Sequence, residues 1–287
     1  SLKVGGPSTA HVQWIPEFLA FCASENAPVD FVSTHVYAGD EQKTLFGVDR
    51  KLSVNGVIPA AIRQSRQQIE GSRFPGLPLY LDEWSSDSPV MIAHVLSEVL
   101  GHVQMMSHWV LSGTYEELGP QPFVLAEGNF GYAQMVRGIP RPNYNTYRLL
   151  HALGTERVSA EGPALASRRN DGRLSAVVWN LAEVVQANGI PGSTTVRKTT
   201  GSAKRLIIVL PDLRPGQRLR VRYVDQERGS PLPAWRAMGS PRIPTATQIE
   251  ALRRAAAIPV PEMRRVGRDG TIFLDLPPEG IALIESV

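Results

Sequence analysis

The chain has 287 residues, with 30 Lys and Arg against 27 Asp and Glu, 43% hydrophobic residues and 20% charged ones. That balance excludes a disordered chain and allows one large or two medium domains. There is no run of about 18 apolar residues, which excludes a membrane-spanning helix, and the lone cysteine, Cys22, excludes an internal disulfide or a multi-cysteine metal site.

The basic excess is too mild to argue for nucleic acid, whose binders cluster their cations on one face or stripe. The densest run, Arg218-Leu219-Arg220-Val221-Arg222, alternates with apolar residues and reads as the wet face of a strand. The opening residues carry no signal-peptide pattern and no initiator Met, as expected of a trimmed start.

In chain order, Leu2 to Gly5 reads as the end of a strand and Gln13 to Ala23 as a helix. Val29 to Tyr37 is β-branched and aromatic and predicts a buried strand. Ala60 to Gln68, with its flanks, predicts a helix. Leu77 to Trp84 predicts a second strand, entered through Pro75-Gly76. Val90 to Met106 places Ile92, Val95, Leu96, Val99, Leu100 and Val103 on one helical stripe. A third strand, Ser107 to Leu111, follows at once, and Asn143 to Leu153 is a final helix closed by Gly154. This β-α-β-α order with short connections implies parallel strands covered by helices. About four such units fit into about 150 residues, whereas a complete eightfold barrel needs about 250.

After Gly154 the pattern changes. Ala164 to Arg168, Leu174 to Asn180, Lys204 to Leu210, Arg218 to Val224 and Thr271 to Leu276 are short alternating runs separated by turn residues. They predict an antiparallel β-sandwich, interrupted by a single helix from Thr245 to Ala256. The expected division is therefore 1–154 and 155–287.

Ligands of parallel sheets bind at the carboxyl ends of the strands. Those ends carry Ser33, His35, Tyr37 and Asp40 on one strand, and Asp82, Glu83 and Trp84 on the next. The third carries His108 and Trp109, followed by Tyr115, Glu116 and Glu117. Carboxylates beside aromatic rings suit a sugar: rings stack on its apolar face, polar groups bond its hydroxyls, and a carboxylate can attack an anomeric carbon. Plainer readings exist for each: a salt-bridged Glu83, a hydrogen-bonded core His35, a core Trp109, and a solvated loop at 115–117. Asp82 alternates with Glu83, so it is expected to point the other way and to serve the structure.

Several of these runs, in order, resemble glycoside hydrolase family 39, the β-xylosidase family. They are Lys3-Val-Gly-Gly-Pro7, Asp30-Phe-Val-Ser-Thr-His35-Val-Tyr37, Leu81-Asp82-Glu83-Trp84 and the stretch from His108-Trp109 to Glu116-Glu117. Asn129-Phe-Gly-Tyr132, Gly138-Ile-Pro140 and Tyr147 to Gly154 also fit. In the second half, Val177-Val-Trp179-Asn180-Leu181, Met238-Gly239-Ser-Pro241 and Pro244-Thr245 resemble the accessory β-sandwich of bacterial members.

The resemblance implies an α/β plus all-β fold. The first part would be about strands five to eight of a (β/α)8 TIM barrel, followed by the sandwich. It implies a retaining glycosidase that releases terminal xylose from xylo-oligosaccharides. Glu83 matches the catalytic nucleophile. His35, Tyr37, Trp109, Tyr115, Glu116 and Glu117 match substrate-binding positions.

Two departures stand out. The family's Thr before the nucleophile is Asp82 here, and the Asn-Glu-Pro that carries the acid/base on strand four does not occur. The expected consequence is a chain inactive alone, completed by a missing N-terminal half or by a second copy. Neither a metal nor an organic cofactor is implied, and neither nucleic acid nor membrane is an expected partner. A bacterial cytoplasm or periplasm is the expected setting. The rival readings are a non-catalytic carbohydrate-binding or half-barrel interaction protein, and a glycosidase of the same clan for another sugar.

Overall fold

The computed structural model describes residues 2–112, 133–185 and 198–287. The first part is built on four parallel strands, β1 (Gly5–Ala10), β2 (Phe31–His35), β3 (Leu79–Trp84) and β4 (Met105–His108), lying side by side in chain order. Parallel neighbours need crossovers. Helices supply them: α1 (Ile15–Ser24) after β1, α2 (Gln42–Phe46) and α3 (Val54–Glu70) after β2, and α4 (Pro89–Val99) after β3.

Strand alternation gives the sheet two unlike faces. Val32, Leu79 and Leu81 are buried and pack against Ile15, Leu19, Ile58, Ile62, Ile92 and Val95 of the helices. Their strand neighbours Phe31 and Tyr80 turn to the opposite face, where their ring centroids lie 4.9 Å apart. Met105, in register with Tyr80, is 51% exposed. Among the described residues, this second face belongs to no hydrophobic core.

Three boundaries differ from expectation. The strand expected to end at Gly5 begins there. A Cβ on Gly5 would meet the Phe31 carbonyl oxygen at 2.4 Å, so the bare backbone lets β1 lie against β2. The helix expected to run to Met106 stops at Val99. Gly101 turns the chain at φ +85°, a conformation costly for any residue with a Cβ, so Leu100 and Val103 leave the helical stripe. β4 therefore starts at Met105 and ends at His108, earlier than the expected Ser107 to Leu111.

A short hairpin, β5 (Met135–Val136) with β6 (Ile139–Pro140), leads into α5 (Pro142–His151). The chain then forms β7 (Glu156–Val158), β8 (Ala164–Arg168), β9 (Leu174–Trp179), β10 (Glu183–Val185), β11 (Lys198–Thr200), β12 (Lys204–Val209), β13 (Arg218–Val224), β14 (Glu262–Arg265), β15 (Thr271–Leu276) and β16 (Ile281–Ser286). Six of these make one antiparallel sheet in the order β14-β13-β16-β9-β8-β7, while β12 pairs with β15 and β10 with β11. Leu174, Val178, Leu219, Val221, Ile272 and Leu274 form a core shared by the six-stranded sheet and the β12–β15 pair. On the other side of the sheet, Val177, Trp179, Ile281 and Leu283 pack on Val90 and Ala93 of α4 and Leu149 of α5. β9 and β16 are thus buried along their whole length.

Two expectations for this region need correction. The single helix is two, α6 (Leu232–Ala237) and α7 (Ala246–Ala255). The second starts as anticipated, with Thr245 and Gln248 capping each other's backbone N–H groups. The arginine run of β13 is not simply a wet face. Arg220 and Arg222 are partly buried and, with Arg169, converge on the carboxylate of Glu285, which is 5% exposed. Glu285 supplies the buried anion that draws them inward.

Candidate active site

The carboxyl ends of β1, β2 and β3 bring together most of the polar residues singled out from the sequence. The strands run in register from Val32↔Leu79 to Thr34↔Leu81, and then His35 pairs with Glu83. Asp82 is the extra residue of this bulge. A bulge breaks alternation and re-aims side chains. The burial of β3 shows it: Leu79, Leu81 and Trp84 are buried, while Asp82 and Glu83 are both half-buried.

Both carboxylates consequently meet partners on neighbouring elements. The Tyr37 hydroxyl donates to Glu83 Oε2 at 2.5 Å. A hydroxyl held this close to a carboxylate fixes the rotamer of both groups. Asp82 does not turn away from the site as expected. Its Oδ1 lies 3.3 Å from His35 Nδ1, and its Oδ2 accepts a hydrogen bond from the Ser8 hydroxyl of β1. One side chain thus ties the ends of three adjacent strands.

Asp40 adds a third carboxylate beyond Tyr37. Its Oδ2 accepts from the Tyr37 backbone N–H at 2.8 Å, and its Oδ1 lies 3.6 Å from His11 Nε2. Burial pushes the Asp40 carboxyl above its ordinary range, against the opposing pull of the Tyr37 N–H, His11 and His35.

The aromatic wall is partly in place. Trp109 meets the Tyr37 ring edge-on, with centroids 6.3 Å apart, and its backbone N–H donates to the Trp84 carbonyl at 2.9 Å. The Trp109–Val110 peptide is cis. His108 serves packing: its ring lies edge-on to Trp84 and Tyr147, and its Nδ1 is 2.9 Å from the Tyr147 hydroxyl. Burial raises the Tyr147 phenol well above its usual range, so that hydroxyl stays protonated. Tyr115, Glu116 and Glu117 lie outside the described residues, so their predicted place beside the site is not addressed by this geometry.

The structure therefore gathers His35, Tyr37, Asp40, Glu83 and Trp109, and adds Asp82, which alternation assigns to the other face, together with Ser8 and His11. Ser8 and His11 stand in no recognisable pattern. Asp82 was visible beside Glu83, but only the bulge gives it its partners. No three His, Cys, Asp or Glu side chains cluster to hold a metal among the described residues.

A carboxylate held by a tyrosine at the carboxyl end of a parallel strand, beside a tryptophan, stands where such sheets bind their ligands. Comparison with known proteins gives the class. The sequence model of the Glycosyl hydrolases family 39 matches residues 1–272, and the chain belongs to that family. It is 31% identical over 293 residues to a beta-xylosidase of Geobacillus stearothermophilus, covering 96% of this chain but 55% of the relative. A beta-xylosidase of Caldicellulosiruptor saccharolyticus is 26% identical, with 90% and 53% covered. Among solved structures, a monomeric beta-xylosidase from Caulobacter crescentus superposes with a TM-score of 0.78 at 31% identity, over 99% of this chain and 61% of its own. The family 39 enzyme from Xanthomonas axonopodis pv. citri gives 0.76 at 32% identity, over 99% and 60%. The chain spans little more than half the length of the curated relatives it matches.

Proposed function

We propose that this chain is the nucleophile-bearing part of a retaining, β-xylosidase-like glycosidase. On this reading residues 1–154 are about strands five to eight of a (β/α)8 barrel and residues 155–287 an accessory β-sandwich. The observation that carries it is Glu83 at the carboxyl end of β3, gripped by Tyr37, in a chain of family 39. The face with Phe31, Tyr80 and Met105, which joins no hydrophobic core among the described residues, supports it too, since such a face turns inward in a closed barrel.

In the complete enzyme the chemistry takes two steps. Glu83 Oε attacks the anomeric carbon, the bond to the leaving oxygen breaks, and an acid outside this sequence protonates that oxygen. Water then attacks the glycosyl-enzyme and returns Glu83 as carboxylate, with net retention. His35, Tyr37 and Trp109 hold the sugar. Glu116 and Glu117 match the family's hydroxyl-binding pair. Without the general acid a substrate with a poor leaving group loses about 10²–10⁴-fold in rate.

An activated leaving group needs no acid, which provides the test. The chain is incubated with 2,4-dinitrophenyl 2-deoxy-2-fluoro-β-xyloside and its intact mass is followed. The expected result is a gain of one fluoroxylosyl group, mapped by peptide digestion to Glu83 and absent from Glu83→Gln. Labelling elsewhere would remove Glu83 from the role. Saturable binding of xylo-oligosaccharide without any labelling would make the chain a binding protein instead.

A further inference from the structure

We infer that Asp82 is a positioning residue for His35, holding the ring with its Nδ1 protonated toward Asp82 and its Nε2 presented to the sugar. The inference rests on the glycosidase reading for its purpose, but not for its geometry. Asp82 Oδ1 is buried from solvent and has no hydrogen bond. A buried carboxylate oxygen left unpaired is costly, about 1–3 kcal/mol or more. The donor in reach is His35 Nδ1 at 3.3 Å, and a small rotation of the ring completes the bond. With Oδ1 enclosed beside the ring, Asp82 acts on a bound sugar through the imidazole. Its other oxygen, held by the Ser8 hydroxyl, keeps the carboxylate from swinging away.

The chemical consequence concerns which ring nitrogen is free. The second partner of an imidazole sets its tautomer. With Nδ1–H turned to Asp82, neutral His35 offers Nε2 as an acceptor for a sugar hydroxyl. The same ring, when protonated, offers Nε2–H as a donor. The bulge makes this possible, since regular alternation would send Asp82 to the face opposite Glu83. A threonine at this position cannot supply the anionic acceptor.

The test reads the ring directly. Nitrogen-15 NMR of histidine-labelled chain reports the protonated nitrogen of each imidazole, and His35→Gln identifies its signals. In its neutral form His35 is expected as the Nδ1–H tautomer. Asp82→Leu is expected to switch it to Nε2–H, and Asp82→Asn, which keeps an acceptor oxygen, to restore Nδ1–H. An Nε2–H tautomer in the unaltered chain, or a tautomer indifferent to Asp82→Leu, would overturn the inference. Should Asp82→Leu fail to fold, Asp82→Ala, which also lacks the acceptor, takes its place, and an unchanged Nδ1–H tautomer there would overturn the inference. The second readout is the labelling of Glu83. Asp82→Leu should raise the inactivator concentration for half-maximal rate about tenfold, and Asp82→Asn should recover most of it. Absence of labelling in the unaltered chain would defeat the glycosidase reading, while the tautomer would still judge Asp82.

Discussion

The parallel sheet and the antiparallel layers bury their strands in different ways. β9 and β16 are covered on both faces by this chain, by the β12–β15 pair on one side and by α4 and α5 on the other. Among the described residues, β2 and β3 join a hydrophobic core on the helix face alone. The difference marks the place of the candidate site. Ser8, His35, Asp82 and Glu83 stand toward the carboxyl ends of strands whose second face joins no hydrophobic core among the described residues. The antiparallel part shares its core contacts with the back of the same helices and braces the sheet from behind, with Trp179 and Val90 at the joint.

The comparison can be broken within a single strand. Leu81 and Tyr80 are neighbours on β3 facing opposite ways. Leu81→Ala removes a fully buried side chain and is expected to cost about 2–5 kcal/mol in urea unfolding. Tyr80→Ala is expected to cost less than about 1.5 kcal/mol, because its ring packs on Phe31 and joins no hydrophobic core among the described residues. Equal costs would mean that the second face is covered after all, and the half-open sheet would have to be abandoned.

In the doubly covered region the sharper probe is electrostatic. Glu285 lies buried on β16 with Arg169, Arg220 and Arg222 around it. Glu285→Gln leaves three guanidinium groups facing a neutral amide. Because the arginines are partly exposed and can turn to water, the expected loss is about 1–3 kcal/mol rather than the full cost of a broken buried pair. Thermal unfolding at low and high salt checks it: a variant as stable as the parent would make the cluster decorative.

How far the sequence discloses this arrangement varies by region, for physical reasons. β8, β13 and β15 begin and end where the alternation places them, because each has one buried and one solvated face or a clear turn at its ends. β16 escapes that reading. Ile281-Ala282-Leu283-Ile284 is apolar without alternation, as a strand buried on both sides must be. α6 is too short, at 6 residues, to show a helical period. At the site, Glu83, His35, Tyr37 and Trp109 were legible as strand-end residues. The role of Asp82 was not, since a bulge inverts the facing that alternation assigns and leaves no local sign. The family relation places the chain among glycoside hydrolases, which spacing could not do, and the nucleophile role proposed for Glu83 rests on that relation.

The smallest expected effect lies at Asp40, and it separates burial from pairing. Burial raises the Asp40 carboxyl, and the Tyr37 N–H, His11 and His35 oppose that rise. A carboxyl raised on folding binds its proton more tightly in the folded state. The folded state is therefore favoured below the unfolded value of about 3.9 and loses that advantage as pH climbs through the raised value. Asp40→Asn keeps an acceptor for the Tyr37 N–H but never carries charge. At pH 7 it is expected to be more stable than the parent by less than about 1 kcal/mol, with the gain vanishing near pH 3, where Asp40 is protonated in both states. Urea midpoints for both proteins between pH 3 and 8 give the curve. A parent more stable than the variant at pH 7 would mean that the ion pair with His11, at 3.6 Å, outweighs the cost of burying the charge.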